Sequence, residues 1–286
     1  MEKLKLSYIL NLVFFVIVVV CLTACSTFYP NKRIELAEKI AYQSNLKSFV
    51  IETPIFDLLG YYKVANPSSE ASIYIEGDGL SWIDKWTVSN NPTPLNPLAL
   101  KLASLDSSTK VIYLARPCQY LDLNYEKNCL PKYWTSHQFS KEILDLYQQA
   151  LNQIKERFQV DTFHIVGFSG GAAIAIMLAG DREDIKTLRT IAGNLDHISL
   201  NIFKKVNPLS GSLDTMNYAM KTKKIPQIHY YGGKDKIIPS WITKNYLKTI
   251  NHTSCVSILE VIEASHLEGW EKSWRKFNQN FPKCLK

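Results

Sequence analysis

The stretch that most constrains the fold of this chain covers residues 161–180 and reads DTFHIVGFSGGAAIAIMLAG. Its first part is rich in β-branched and aromatic residues. From Ser169 onward it becomes an alanine-rich run with helical spacing, so the pattern predicts a strand that passes directly into a helix. Two residues before and after the serine stand Gly167 and Gly171. Small residues are needed there because so tight a turn strains its central residue and leaves no room beside it.

The pentapeptide Gly167-Phe168-Ser169-Gly170-Gly171 resembles the nucleophile elbow of the α/β-hydrolase family, a G-x-S-x-G between a strand and a helix. The resemblance extends over most of the chain, from about residue 49 to residue 281. It implies an α/β fold of the α/β-hydrolase type, with a mostly parallel central sheet and helices on both faces. It also implies that Ser169 is a catalytic nucleophile, because this turn lifts the hydroxyl above the sheet edge.

A serine hydroxyl needs a base to take its proton and an acid to orient that base. In α/β-hydrolases these partners follow the serine in the order acid, histidine. Of the later histidines, His229 lies inside a predicted strand, and His252 precedes the last strand. His266 comes just after the last strand, at the sheet edge where catalytic loops gather in open α/β sheets. We therefore expect His266 to be the base.

Two aspartates compete for the role of the orienting acid. Residues 231–239 read YGGKDKIIP, which resembles the family's G-x-x-D-x-x-V/I-P turn after the penultimate strand and favours Asp235. Asp196 also follows a predicted strand, and it matches the position that some family members use instead. The sequence favours Asp235 and leaves Asp196 open.

The negative oxygen of the acyl-transfer intermediate needs two N–H donors. The resemblance implies that one is Gly170, the residue after the nucleophile, and that the other lies in the loop after the third strand. Glu76-Gly77-Asp78-Gly79 stands where the family commonly has His-Gly-x or His-Gly-Gly. We expect the Asp78 backbone to be the second donor. Glu76 in place of histidine leaves that identity open by one residue, and an anchoring role for Asp78 is the alternative.

Strands alternate with helices along the rest of the chain, as is typical of a parallel sheet. An entry helix is expected over residues 31–48, and an opening strand pair over 49–64 with its turn near Leu59 and Gly60. The other expected strands cover residues 72–76, 110–115, 185–192, 225–231 and 256–262, and the other helices cover 139–158, 241–250 and 270–281. Residues 80–97 and 195–222 are expected to be insertions at the active-site end, where specificity would reside. A pocket wall or a rigid packed loop is expected from residues 116–120, RPCQY, together with Trp82 and Trp86.

The amino terminus has the layout of an export signal. Lys3 and Lys5 precede an apolar run over residues 13–22, and Leu22-Thr23-Ala24-Cys25 follows. This tetrapeptide resembles the lipobox of bacterial lipoproteins, which implies removal of residues 1–24 and acylation of Cys25. The alternatives are a plain signal peptide or a membrane anchor, but the run is shorter than the roughly twenty residues that a spanning helix needs.

The predicted organisation is a signal peptide over residues 1–24, a tether and entry helix over 25–48, and an α/β-hydrolase domain over 49–286. In enterobacterial-type lipoproteins, a serine after the acylated cysteine goes with sorting to the outer membrane, and Ser26 stands there. We therefore expect a protein of the bacterial cell envelope, lipid-anchored in the outer membrane and facing the periplasm.

Four cysteines remain once Cys25 is assigned to acylation and Cys21 to the signal peptide. In an exported domain they allow three disulfide pairings. We favour Cys118 with Cys129, which closes a loop of about ten residues. That leaves Cys255 with Cys284, which ties the last strand to the terminal helix. Free buried thiols are the alternative, and no cysteine or histidine spacing indicates a metal site.

Composition narrows the class of function. The chain has 286 residues and a formal net charge of +7, and its basic residues are dispersed, which argues against nucleic acid as a partner. We expect a serine hydrolase without a cofactor that cleaves a small-molecule or lipid ester, with the membrane as its partner through the lipid anchor. The alternatives are a non-catalytic envelope-binding lipoprotein, an acyltransferase using the same three residues, and a peptidase.

Overall fold

The computed structural model of the protein describes residues 30–123, 126, 128–251 and 253–285. The predicted signal peptide, Cys25 and His252 lie outside the described residues. Within them, eight strands form one sheet. In chain order the strands are β1 (Lys47–Ile51), β2 (Leu58–Val64), β3 (Glu70–Ile75), β4 (Lys110–Leu114), β5 (Thr162–Phe168), β6 (Ile185–Ile191), β7 (Gln227–Gly232) and β8 (Val256–Val261).

The described helices alternate with these strands. They are α1 (Pro30–Gln43), α2 (Leu98–Ser104), α3 (Lys141–Phe158), α4 (Gly170–Asp181), α5 (His197–Lys204), α6 (Met216–Ala219), α7 (Ser240–Thr249) and α8 (Glu271–Phe277), with 3-10 turns at Pro131–Trp134 and Met220–Thr222. Among the described residues, no helix has both the length and the apolar character needed to cross a membrane.

The sheet is mostly parallel, as predicted. Its strand order is β1-β2-β4-β3-β5-β6-β7-β8. β2 runs antiparallel to both of its neighbours, and all the other pairs are parallel. Every residue of β4 is buried, because helices cover both faces at the centre of the sheet. The carboxyl ends of the parallel strands therefore share one edge, which is where the polar loops converge.

Helices cover the sheet on both faces. α3, α4 and α7 pack on one face, and α1, α2 and α8 pack on the other. α3 has the predicted helical spacing of apolar residues, which are buried against the sheet: Ile143, Leu144, Tyr147, Ala150, Leu151 and Ile154. It ends at Gln159, whose left-handed backbone (φ 51°) lets the N–H of Val160 reach the Lys155 carbonyl at 3.1 Å, as is common at helix ends.

The predicted turn near Leu59 and Gly60 was wrong. Both residues lie inside β2, and the connection from β1 covers residues 52–57. Gly60 is required by packing rather than by a turn. A β-carbon there would lie 2.3 Å from Cε1 of Phe49 on the paired strand and 2.9 Å from the Tyr113 carbonyl oxygen.

Two other expectations about local structure need correction. The entry helix, expected to reach residue 48, ends at Gln43, and β1 already begins at Lys47. Helix α2, which begins directly after Pro97, was not predicted. It has only seven residues, too few for a periodic pattern to stand out, and its buried side chains pack on the sheet. The remaining predicted elements are present, with bounds shifted by a few residues.

Candidate active site

Ser169 lies between the last residue of β5 and the first residue of α4, and its backbone has φ 51° and ψ −118°. A positive φ is costly for a residue with a side chain. The neighbouring glycines allow it. A β-carbon on Gly167 would lie 2.5 Å from the Ala172 α-carbon, and one on Gly171 would lie 2.4 Å from the Glu76 carbonyl oxygen. Strand, turn and helix are thus packed too closely for any larger residue at these two positions.

The Ser169 hydroxyl belongs to a continuous chain of hydrogen-bonding side chains. Its Oγ lies 3.1 Å from Nε2 of His266, and Nδ1 of the same ring lies 2.9 Å from Oδ2 of Asp235. A carboxylate can only accept, so Nδ1 carries the proton and the lone pair of Nε2 faces the serine. This is the tautomer that a general base needs.

Two loops at the carboxyl edge of the sheet bring these groups together. Asp235 follows β7, and its Oδ1 accepts the N–H groups of Ile237 and Ile238 at 2.8 and 2.9 Å. Its side chain is 0% exposed, and the side chain of His266, which follows β8, is 13% exposed. The acid is therefore fixed by its own turn, while the imidazole stays accessible from one side.

The structure shows which of the two candidate aspartates contacts His266. Asp196 does not contact His266. Its Oδ1 accepts the Ser199 N–H at 3.0 Å and caps the first turn of α5, a common role for aspartate. His229 is fully buried inside β7, between Thr190 and Gln227, and burial lowers its pKa to about 3. It is a neutral core residue.

Two backbone N–H groups next to Ser169 are available as donors. Within the described residues, neither the Gly170 N–H nor the Asp78 N–H donates to an acceptor, whereas the Gly77 N–H donates to Oε1 of Glu76 at 2.9 Å. The loop is close to the nucleophile, since a β-carbon on Gly77 would lie 3.2 Å from the Ser169 β-carbon. Gly170 and Asp78, the two predicted oxyanion donors, therefore keep their N–H groups free of other acceptors in the described residues.

Glu76 has a role that the sequence reasoning missed. Its fully buried carboxylate accepts the N–H groups of Gly77, Ala99 and Leu100 and the hydroxyl of Tyr113. Burial raises its pKa to about 7, against the opposing effect of these donors. Glu76 thus links the loop over residues 76–79, which carries the predicted oxyanion donor and is called the oxyanion loop below, to the first turn of α2. The signal in the sequence was an acidic residue ending an otherwise apolar strand.

Residues 116–120 form a buried support for the same loop rather than an exposed pocket wall. Arg116 donates from Nη1 to Oδ1 of Asp78 at 2.8 Å and from Nη2 to the Gln138 carbonyl. Gln119 donates to the Gly77 carbonyl at 3.0 Å and accepts the Arg116 N–H. The rigid-loop interpretation therefore holds, and the Asp78 side chain is the anchor that the sequence left open.

The structure contains two disulfides with the favoured pairings. Cys118 and Cys129 are bonded across 11 positions of sequence, and Cys255 and Cys284 across 29. The first lies beside Gln119 and the oxyanion loop, whereas the second starts at the amino end of β8, far from Ser169. Among the described residues, no group of three or more histidine, cysteine or acidic side chains is arranged to hold a metal ion.

Comparisons with known proteins bear on the family and the fold. The sequence model of the family described as serine hydrolase (FSH1) matches residues 100–265, which include Ser169 and Asp235 and end one residue before His266. A search of the curated proteins finds no match.

Several solved structures share the fold at low identity. An esterase of Pyrococcus furiosus is 13% identical, with 84% of this chain and 92% of that chain covered and a TM-score of 0.57. An acylaminoacyl peptidase of Pyrococcus horikoshii is 12% identical, with 82% and 39% covered and a TM-score of 0.56. A bacterial membrane phospholipase A is 13% identical, with 94% and 97% covered and a TM-score of 0.58. These likenesses confirm the predicted α/β-hydrolase fold, and their varied names leave the substrate open.

Proposed function

The chain belongs to the serine hydrolase (FSH1) family, and on that premise we propose that it cleaves carboxylic esters through an acyl-enzyme intermediate on Ser169. The observation that carries the proposal is the unbroken contact from Ser169 through His266 to Asp235. A hydroxyl, an imidazole and a buried carboxylate in this order form a nucleophile, a general base and an orienting acid.

In the proposed mechanism, Oγ of Ser169 attacks the ester carbonyl while Nε2 of His266 takes its proton. The negative charge moves to the carbonyl oxygen, which the N–H groups of Gly170 and Asp78 bind. The C–O bond to the alcohol then breaks, and His266 returns the proton to the leaving oxygen. Water, deprotonated by the same imidazole, attacks the acyl-enzyme; the bond to Oγ breaks, the imidazolium returns its proton to Oγ of Ser169, and the acid is released. The carboxylate of Asp235 orients the ring and stabilises the imidazolium.

We also propose that Cys25 is acylated and anchors the enzyme in the bacterial outer membrane on its periplasmic side. The lipobox-like Leu22-Thr23-Ala24-Cys25 supports this proposal. So do the two disulfides, since such bonds persist in oxidising compartments. Labelling cells with an alkyne fatty acid should mark the wild-type chain, and Cys25→Ala should remove the label and release the protein from the membrane fraction.

The decisive experiment is the reaction of the full-length protein with a fluorophosphonate probe, with Ser169→Ala and His266→Ala as variants. We expect the probe on the peptide that contains Ser169, no label in Ser169→Ala, and labelling slowed by about a thousandfold or more in His266→Ala. Hydrolysis of a water-soluble short-chain ester should follow the same order. If the folded wild-type chain neither reacts nor hydrolyses the ester, the proposal is wrong, and a non-catalytic binding role takes its place.

A further inference from the structure

The loop over residues 80–97, at the active-site edge of the sheet, presents large apolar side chains to solvent. Trp82 and Ile83 are exposed, and Trp86 is 81% exposed. The loop is nevertheless well ordered. Asp84 accepts the N–H groups of Trp86 and Thr87 at 2.7 and 2.9 Å, and Trp82 pairs with Val88 in an antiparallel bridge. The tryptophans are therefore displayed on a fixed turn, which sits in the connection that leaves β3 just after the oxyanion loop.

A second apolar surface lies on the other side of Ser169. β6 ends at Ile191 and helix α5 begins at His197, so the helix starts at the same edge of the sheet as the serine. Its exposed apolar residues are Ile198, Ile202 and Phe203, with Ile202 74% and Phe203 61% exposed. Ile198 and Ile202 are one helical turn apart and Phe203 is next to Ile202, so these side chains form one outward stripe. Exposed lysines lie near both surfaces: Lys85, Lys205 and Lys236.

The amino-terminal end of the described chain lies at this same edge. α1 begins at Pro30, and the Arg33 side chain in its first turn donates to the carbonyls of Asn91 and Thr93 in the 80–97 loop. Only five positions separate Pro30 from Cys25, a reach of at most about 17 Å even for a fully extended chain. Acyl chains on Cys25 would therefore emerge within about 17 Å of Pro30, at the edge of the molecule that carries the 80–97 loop.

We propose that the active-site face lies on the bilayer that carries the Cys25 anchor, and that the substrates are ester-linked lipids of this bilayer. Trp82, Ile83 and Trp86 on one side of Ser169, and the α5 stripe on the other, occupy the interfacial region. Tryptophan is enriched there because its ring is apolar and its N–H is polar, and the nearby lysines attract anionic headgroups. This docking surface rests on the proposed function, and it adds the orientation of the enzyme and the class of its substrate.

The test compares two exposed aromatic residues at opposite ends of the molecule. Trp86 lies on the docking surface, whereas Tyr42, 85% exposed at the last turn of α1, lies at the far end. Full-length acylated protein carrying Trp86→Asp, Ile202→Asp or Tyr42→Asp is reconstituted in vesicles of phosphatidylethanolamine and phosphatidylglycerol. Each variant is assayed on a fluorogenic phospholipid in the vesicles and on a water-soluble short-chain ester.

We expect Trp86→Asp and Ile202→Asp to lower vesicle-lipid hydrolysis by about tenfold or more, because a charge is costly in the interface. Hydrolysis of the soluble ester should stay within about twofold, which also shows that the variants fold. Tyr42→Asp should change neither rate. Equal vesicle-lipid rates for Trp86→Asp and Tyr42→Asp would overturn the proposal.

A second measurement does not require catalysis. Vesicles with brominated acyl chains should quench the tryptophan fluorescence of the wild-type protein, and Trp82→Phe with Trp86→Phe should remove most of the quenching. Absence of quenching would overturn the docking surface, and so would a soluble dimer that Trp86→Asp converts into a monomer. Failure of the proposed function has a different signature, since the quenching would persist while the wild-type protein hydrolysed neither substrate.

Discussion

Arg116 and Asp78 form an ion pair beside the turn that carries Ser169, with Nη1 2.8 Å from Oδ1. The same carboxylate oxygen lies against the elbow, since a β-carbon on Gly170 would be 1.9 Å from it. A carboxylate so close to an oxyanion donor opposes the negative charge that forms during acyl transfer. Arg116, which is itself buried, compensates that charge and holds the Asp78 backbone at the same time.

Arg116→Gln should therefore slow the reaction more than Asp78→Asn does. Removing the cation leaves an uncompensated carboxylate next to the oxyanion, whereas Asp78→Asn removes that charge while keeping the shape of the side chain. We expect Arg116→Gln to lower kcat by about tenfold to a hundredfold. The double variant should be faster than Arg116→Gln alone, measured as kcat on a short-chain ester. Rates that multiply independently would show that the pair does not act as a unit.

Asp235 and Asp196 should differ sharply when each is changed to asparagine. Asp235→Asn leaves the His266 contact in place but stabilises the wrong tautomer, so kcat should fall by about a thousandfold to ten-thousandfold. Asp196→Asn keeps a good helix cap, so its kcat should stay within about twofold of the wild type. The measurement is kcat on the same ester, with circular dichroism to check folding. A large loss of activity in Asp196→Asn and a small one in Asp235→Asn would reverse the assignment.

Glu76 should make the free energy of unfolding depend on pH. Burial raises its pKa to about 7 in the folded state, so the native protein holds this proton in a range where the unfolded chain has released it. The stabilisation that Glu76 adds to the folded state is fully present below about pH 4.5, the pKa of glutamate in the unfolded chain. It is lost as the pH rises towards 7, and the loss amounts to about 3 kcal/mol in total.

Glu76→Gln should remove that loss, because glutamine does not titrate. Urea unfolding of both proteins between about pH 5 and pH 8 should show the wild type losing stability relative to the variant as pH rises. A difference that stays constant over this range would contradict the raised pKa. Taking the difference is necessary because other buried groups titrate as well, notably His229, whose lowered pKa affects stability in the opposite direction.

Removing either disulfide should lower stability, but only the removal of Cys118–Cys129 should also lower activity. Their loops of 11 and 29 positions predict a loss of about 3 kcal/mol and of 3 to 4 kcal/mol, respectively, when each is removed. Replacing Cys118 and Cys129 by alanine should also lower kcat, because the adjacent Gln119 holds the Gly77 carbonyl. The matched change of Cys255 and Cys284 should lower Tm with kcat nearly unchanged. Equal kcat in both variants would contradict the support role of residues 116–120.

Local pattern was sufficient to predict the elbow and most of the fold. The residue pattern changes from strand-like to helical at Ser169, and glycines stand two residues away on each side. Both features involve only neighbours in the sequence, so the strand-turn-helix unit can be predicted from the sequence. His266 was predicted because it follows the last strand at the carboxyl edge of a parallel sheet. Asp235 was predicted because its turn resembles the α/β-hydrolase family's G-x-x-D-x-x-V/I-P motif. The prediction of a turn at residues 59–60 was wrong, because Gly60 is there to leave space for the Phe49 ring on the paired strand.

Contacts between distant segments decided the rest. The sequence by itself predicted the sheet through periodicity and spacing, and it predicted the nucleophile and the order of its partners through the resemblance to the α/β-hydrolase family. Only the tertiary structure determined that Asp235 rather than Asp196 reaches His266, and that Glu76, Arg116 and Gln119 hold the oxyanion loop. The physical reason is that hydrogen bonds and ion pairs form only when packing brings their partners within about 3 Å. The spacing of two residues in the sequence does not predict that distance.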